Sequence, residues 1–339
     1  MGSVMYGRLV AALMGIFLIS CFAPSLQAQP VNVEAAKKEG KAIVYGTVPP
    51  QSMEAINKPF EKKYGIKVEY WRGSATKVGD RALTEWRAGR PGFDIVEGNP
   101  GLQVILKKEG AFARYVPPSS EKFPEQFREK DALMTAWRIT PLSILYNTDL
   151  VKAGDIPKTL DDLLHPKWKE KISIPDPAQH TTTAQFLWNL RRFKGEKWLE
   201  FVKALARQKP HMVESFAPVP NVITRGEALV GIGYIKYVKQ YKGPLGYVVI
   251  EKHLADPYYM GLGAKAVNPN AGKLFMEYVC SADGQRATAG EGEFVLYPGI
   301  YPAIKDAEKV APTIVFMDNP TEDEFKKLRA EFREIFFAK

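Results

Sequence analysis

The chain has 339 residues, of which 45% are hydrophobic and 25% charged, and its formal net charge is +9. The length exceeds what one compact core usually organises, so two lobes are expected, and the composition excludes a disordered or fibrous chain. The basic residues are spread along the chain and form no nucleic-acid-binding module, so we expect no nucleic-acid partner. A diffuse positive charge attracts anions, but a solvated basic surface explains it equally well.

The N-terminal segment has the pattern of a secretory signal peptide. Arg8 follows a short polar start, an apolar run extends over residues 9–23, and Pro24 breaks it before small residues that end at Ala28. This order predicts cleavage after Ala28, so that residues 1–28 form the signal peptide. The apolar run is shorter than the about 20 residues that a transmembrane helix needs.

Cys21 allows a second interpretation of this segment. Residues 18–21, Leu-Ile-Ser-Cys, also resemble the bacterial lipoprotein box, in which the cysteine is acylated and becomes the new N-terminus. Pro24 and the Ala28 exit favour ordinary cleavage, and both interpretations place the protein outside the inner membrane, so we expect it in the periplasm. Without Cys21, the remaining cysteine is Cys280 in an apolar stretch, where we expect a buried structural thiol.

Strand and helix patterns alternate in the first part of the mature chain. Strand patterns lie at residues 42–45, 66–71 and 93–96, and helical patterns at 35–40, 53–64 and 76–88. Thr76 is the expected N-cap of the last of these helices. Such alternation predicts a parallel sheet with the ligand cleft at the carboxyl ends of its strands. We therefore expect the cleft at residues 46–51, 72–76 and 97–101.

A second alternating series starts near Trp137. Its strand patterns lie at residues 142–146, 172–174, 229–232 and 245–249, and its helical patterns at 182–192 and 195–206. The chain then returns to the first sheet with a strand at residues 258–264, followed by helices at 271–280 and 281–289. We expect an α/β fold whose lobe 1 is formed by residues 29–137 and 258–305, whose lobe 2 is formed by 138–257, and whose residues 306–339 pack as a closing helix region.

Several stretches between residues 35 and 300 carry a family resemblance. They are residues 36–46 with 60–68, residues 145–151 with 163–172, the turn at 224–228, and residues 266–271 with 281–286. Their order and spacing resemble bacterial extracellular solute-binding protein family 1, the substrate-binding proteins of ABC transporters that include the periplasmic ferric-iron binders. The resemblance implies a type II periplasmic-binding-protein fold that closes over one ligand, and an inner-membrane ABC permease as partner. Members also bind thiamine, phosphonates, sulfate and polyamines.

The residues that iron-binding members use are changed in this chain. Those members have a histidine after the first strand, a glutamate after the third strand and two adjacent tyrosines late in the chain. Here the first turn holds Val48-Pro49-Pro50, the glutamate position falls nearer Asn99 than Glu97, and the tyrosine positions fall on Lys236 and Tyr237. Fe(III) suits phenolate and carboxylate oxygens, whereas an ammonium group only donates hydrogen bonds. We expect no metal site and no cofactor, with ferric binding as the alternative.

Two loops that precede helices favour an organic anion as the ligand. His180, Thr181 and Thr182 lie between a strand and a helix, where free N–H groups and hydroxyls bind carboxylate, sulfate or phosphate. Ser74 and Thr76 offer the same groups from the opposite lobe. The alternative is that these residues only cap their helices, and that His180 only makes hydrogen bonds within its loop.

Further candidates lie at other strand ends. Lys236 could pair with an anion while Tyr234 or Tyr237 stacks on the ligand, or these three could be a solvated lysine and packing tyrosines. Arg138, on the expected crossover between lobes, could bind a carboxylate through two hydrogen bonds or form a surface ion pair. Thr47 and Asn99, at the ends of the first and third strands, complete the expected ligand-binding residues.

We therefore expect a monomeric solute-binding protein, not an enzyme, that captures a small organic anion by hinge closure and delivers it to an ABC importer. An enzyme on the same two-lobed fold is the alternative from another class. The chain contains no Gly-x-Ser-x-Gly elbow, and its four histidines have no evident catalytic partners. A sensor subunit would differ only in its partner.

Overall fold

The computed structural model describes residues 30–337. The strands are β1 (Lys41–Gly46), β2 (Lys67–Arg72), β3 (Ile95–Gly98), β4 (Thr135–Asn147), β5 (Ile172–Pro175), β6 (His211–Val213), β7 (Val230–Tyr234), β8 (Leu245–Tyr247), β9 (His253–Leu262), β10 (Phe294–Val295) and β11 (Ile314–Phe316). The helices are α1 (Val33–Glu39), α2 (Pro50–Tyr64), α3 (Ala75–Arg87), α4 (Pro100–Lys108), α5 (Thr181–Asn189), α6 (Arg191–Lys194), α7 (Trp198–Arg207), α8 (Val219–Thr224), α9 (Tyr237–Gln240), α10 (Pro269–Cys280), α11 (Ala282–Gly290), α12 (Ala307–Val310) and α13 (Glu322–Phe337).

The expected signal peptide, its cleavage site and the lipoprotein cysteine all lie outside the described residues. Within residues 30–337, no helix combines the length and the apolar character needed to cross a bilayer.

The strands form a continuous sheet in the order β2-β1-β3-β9-β4-β7-β5-β6. β1 pairs in parallel with β2 and β3, and β5 pairs in parallel with β6 and β7. β9 lies antiparallel between β3 and β4, and β4 belongs to both halves because its first part pairs with β9 and its second part with β7. The α/β fold expected from the alternating patterns is thus confirmed, with β4 and β9 as the strands that join the two halves.

Buried apolar side chains cluster separately in the two halves of the sheet. The cluster around β1 and β3 includes Phe60, Trp137 and Phe275, and the cluster around β5 and β7 includes Leu187 and Phe332. Phe332 lies on α13 and is fully buried, so the amphipathic C-terminal helix packs on the second half, as its apolar face predicts.

Some elements differ from their expected bounds. β4 begins at Thr135 rather than residue 142, because its first residues pair with β9. β9 begins at His253 rather than residue 258, and the single helix expected at residues 182–192 is divided into α5 and α6. The helix α4 was not expected at all, although Asn99 as N-cap and Pro100 at the first helical position are typical start signals.

Candidate functional site

A cavity of about 280 Å³ lies at the N-terminal ends of α3, α4 and α5. α3 and α4 follow β2 and β3 in one half of the sheet, whereas α5 follows β5 in the other half, so both halves wall the cavity. The lining residues are Ala75, Thr76, Gly79, Asp80, Leu83, Asn99, Pro100, Gly101, Leu102, Ile105, Thr181, Thr182, Gln185, Asp256, Asn319 and Phe325. Its volume fits a small molecule.

The three helices are capped by the residues that precede them. The side chains of Ser74, Asn99 and His180 each accept a hydrogen bond from the N–H three residues later, at 3.3, 3.1 and 3.3 Å. The expectation that Thr76 caps its helix is therefore wrong, because Ser74 takes that position. Each cap leaves the first N–H groups of its helix without an intrahelical partner, and these groups carry the positive end of the helix dipole.

Four of the expected binding residues line this cavity: Thr76, Asn99, Thr181 and Thr182. Thr76 and Thr181 are exposed in the first turns of α3 and α5, while Thr182 is buried. Hydroxyl groups and free backbone N–H groups therefore come to one place from both halves of the sheet. This arrangement can donate several hydrogen bonds to one anionic group.

No lysine, arginine or histidine lines the cavity, whereas two aspartates do. Asp80 is exposed, but Asp256 on β9 is only 3% exposed. The Asp256 Oδ1 atom accepts one hydrogen bond from the Gln185 amide at 3.2 Å, and burial raises the pKa of this carboxyl group to about 7. Sequence reasoning missed Asp256, because no motif marks it in the strand.

Other expected residues form a buried ion network beside the cavity. The Arg138 guanidinium donates to Glu97 at 2.7 Å and to Glu293 at 3.1 Å, and the Lys236 ammonium donates to Glu293 at 2.7 Å. The backbone N–H and hydroxyl of Thr47 donate to Glu97 at 2.7 and 3.0 Å. Neither a surface ion pair of Arg138 nor a solvated Lys236 is present, since both side chains are buried.

The charges within this network compensate one another. Burial alone would raise the pKa of Glu293, but Arg138 and Lys236 outweigh that effect and lower it. Burial alone would lower the pKa of Arg138, but the carboxylates of Glu293 and Glu97 hold it above its ordinary value. Burial and the nearby Arg138 cation lower the pKa of Lys236 despite its contact with Glu293. Both cations already have carboxylate partners, so neither offers an uncompensated charge to a ligand.

The remaining expected residues form an aromatic chain that packs the second half. The ring centroids of His180 and Phe216 lie 5.2 Å apart, those of Phe216 and Tyr234 4.9 Å, and those of Tyr234 and Tyr237 5.6 Å. Tyr234 and Tyr237 are buried, and burial lowers the pKa of His180 to about 4, so this imidazole is neutral at pH 7. These rings support the loop before α5 rather than line the cavity.

The described residues contain no group of three or more His, Cys, Asp or Glu side chains that could hold a metal ion. At the positions where iron-binding members place their ligands, Asn99 caps α4, Lys236 pairs with Glu293, and Tyr237 is buried. The expectation that this site differs from that of the iron binders stays a prediction.

Comparison with known proteins agrees with this architecture. The family model described as "Bacterial extracellular solute-binding protein" matches residues 91–326. An uncharacterized protein of Haemophilus influenzae is 26% identical over 275 residues, which is 76% of this chain and 78% of that protein. An Fe(3+)-binding periplasmic protein of Serratia marcescens is 23% identical over 177 residues, 51% of each chain.

Among solved structures, the substrate-binding protein of an ABC transporter from Agrobacterium tumefaciens superimposes with a TM-score of 0.76. The match covers 87% of this chain and 94% of that one at 15% identity, and it shows the fold. The expected type II fold and solute-binding role are confirmed. The chain belongs to the family of bacterial extracellular solute-binding proteins, which is a family of transport proteins and not of enzymes.

Proposed function

We propose that this protein is the periplasmic solute-binding component of an ABC transporter and that it captures a small organic anion at the N-termini of α3, α4 and α5. The convergence of these three helix ends on one cavity carries the proposal. Each end contributes roughly half a positive charge together with unpaired N–H groups, which favour carboxylate, phosphate or sulfate. An ABC permease as partner is supported by the Agrobacterium protein of the same fold, whose name describes that role.

Capture would proceed by closure of two lobes about β4 and β9. We propose residues 29–137 with 258–305 as one lobe and residues 138–257 as the other, with residues 306–339 as a closing region whose helix α13 packs on the second. The first lobe supplies α3 and α4, and the second supplies α5. A ligand that contacts both lobes favours the closed arrangement by the free energy of those added contacts, and one protomer is sufficient for this.

Ferric iron and enzymatic turnover are less well supported. One relative is an Fe(3+)-binding protein, but here Lys236 stands at one of the expected tyrosine positions and pairs with Glu293. For an enzyme, Cys280 is a poor nucleophile, because the thiol is buried and burial raises its pKa well above the ordinary value.

The proposal is tested by a thermal-shift screen of the mature protein against organic carboxylates, phosphate esters, sulfate esters, polyamines, thiamine and ferric salts. An anion at about 100 times its dissociation constant should stabilise the protein by roughly 2.7 kcal/mol. Stabilisation by ferric salts or polyamines alone would refute the anion proposal.

A matched pair of variants locates the site. Thr181→Asp places a carboxylate at the first position of α5, inside the cavity, and should abolish anion binding by like-charge repulsion. Ala282→Asp makes the same change of charge at the first position of α11, which also has nine residues and lies outside the cavity. Unchanged anion binding by the Thr181 variant would show that the ligand binds elsewhere.

A further inference from the structure

The charges that line the cavity do not suit a ligand that is only anionic. The three helix ends together contribute about +1.5 charges, whereas Asp80 and Asp256 supply two carboxylates. Asp80 is exposed and screened by solvent, but Asp256 is almost fully buried. A purely anionic solute would be attracted by the helix ends and repelled by Asp256.

Asp256 lacks a cationic partner within the protein. Among residues 30–337, no lysine, arginine or histidine lies within salt-bridge distance of its carboxylate. The one amide that donates to it, from Gln185, also lies 3.0 Å from Asn319 Oδ1 and 3.3 Å from the Asp318 carbonyl oxygen. Asp256 therefore shares this donor with two other acceptors, which leaves its buried charge poorly compensated.

The position of Asp256 is fixed by the sheet. Asp256 stands on β9 opposite Thr140 of β4, whose hydroxyl donates to its carbonyl oxygen at 3.3 Å, and β11 pairs with the preceding residues 253–255 of β9. The backbone of Asp256 is therefore held in the strand that joins the two halves. By contrast, the neighbouring network gives each buried carboxylate a cation, and the buried Asp94 carboxylate, which has no cation, accepts three N–H hydrogen bonds. Asp256, with one shared donor at the cavity wall, has neither form of compensation.

Resting on the proposed function, we infer that Asp256 is a specificity-determining residue that pairs with a protonated amine of the ligand, so that the solute is a zwitterion. Its anionic group binds at the N-termini of α3, α4 and α5, and its ammonium group donates to the Asp256 carboxylate. The missing cation of the site is then supplied by the solute itself. Anions of equal size without an amine are rejected because they leave Asp256 unpaired and buried.

Two pairs of probes test the inference by isothermal titration calorimetry at pH 7.5: phosphoethanolamine against ethyl phosphate, and 4-aminobutyrate against butyrate. In at least one pair, the amine-bearing member should bind about tenfold or more tightly than its partner. Asp256→Asn should remove this preference, and binding of the amine-free member by the variant reports that its site is folded. Asp149→Asn, which neutralises an exposed aspartate outside the cavity, should retain the preference.

The pH dependence gives a second readout that a merely structural Asp256 would not show. Protonation of Asp256 competes with the ammonium group, so wild-type affinity for 4-aminobutyrate should fall between pH 7.5 and 5.5 while affinity for butyrate does not fall. The Asp256→Asn variant should show no such fall.

The titrations distinguish failure of the zwitterion inference from failure of the anion proposal. If at least one probe binds but neither amine-bearing member binds more tightly than its amine-free partner, the zwitterion inference is overturned while the anion proposal stands. If Asp256→Asn keeps the preference for the amine, the inference is also overturned. If no member of either pair binds the wild-type protein although another amine-free anion stabilises it in the thermal-shift screen, the zwitterion inference is overturned and the anion proposal stands; if no anion stabilises the protein, both are overturned.

Discussion

The buried ion network gives a quantitative prediction about stability. Lys236→Met removes one of two cations that serve Glu97 and Glu293, so one carboxylate charge remains uncompensated in the interior. Glu293→Gln has the converse effect, because Arg138 then keeps only Glu97 and Lys236 loses its carboxylate partner. Removal of one partner from a buried pair typically costs about 3–5 kcal/mol, so each single variant should have a free energy of unfolding lower than that of the wild type by about this amount.

The double variant Lys236→Met/Glu293→Gln restores neutrality, because the Arg138–Glu97 pair remains intact. The double variant should therefore lose less unfolding free energy than the two single variants lose together, by at least about 2 kcal/mol. The matched control is the pair formed by Lys63 and Asp283, which has a contact of 3.2 Å with side chains 51% and 61% exposed. Solvent screens that pair, so the coupling in the cycle Lys63→Met/Asp283→Asn should be about 0–1 kcal/mol.

Urea unfolding at pH 7.5 measures both cycles, followed by circular dichroism and by tryptophan fluorescence. Coincident transitions from the two probes are required before free energies are compared. If the two losses of unfolding free energy in the buried cycle are additive, so that its coupling is no larger than that of the surface cycle, the view that the network is a compensated unit is refuted.

Three further predictions concern single residues. The folded-state pKa of Asp256, about 7, exceeds the ordinary 3.8, so the free energy of unfolding should fall as pH rises from about 4 to 7. In urea titrations of the unliganded protein, Asp256→Asn should remove up to about 4 kcal/mol of that fall. A pH-independent difference between the two proteins would contradict this. Phe332→Ala should cost about 3–5 kcal/mol in the same assay, because the ring is fully buried where α13 packs on the second half; a loss under about 1 kcal/mol would show that this packing is dispensable. Cys280 should react with a thiol reagent only after urea unfolding, because the thiol is buried; rapid reaction in native buffer would place it at the surface.

Local signals account for what the sequence could predict. Thr181 and Thr182 stand between a strand pattern and a helix pattern, and this junction alone suggests free N–H groups at a helix start. The same reasoning identified Thr76, although the cap itself is Ser74. That the two junctions face one cavity follows from the strand order, which alternating patterns only partly constrain.

Partners distant in the chain account for what the sequence could not predict. Arg138 was a candidate for binding a ligand carboxylate, but its partner Glu293 lies 155 residues away and no periodicity connects them. Lys236 was likewise a candidate for the ligand anion and is paired with the same glutamate. Asp256 was not a candidate, because its importance arises from burial without a cation, a property of the folded chain alone.

The most direct test of anion capture at the helix ends is an amide nitrogen–proton NMR titration of the mature protein with the anion that gives the largest thermal shift. The backbone amide signals of Thr76, Gly101, Thr181 and Thr182 should shift together along one saturation curve, since they lie in the first turns of the three helices around one cavity. Stationary signals from these four amides, with saturable shifts elsewhere in the protein, would contradict the proposed site.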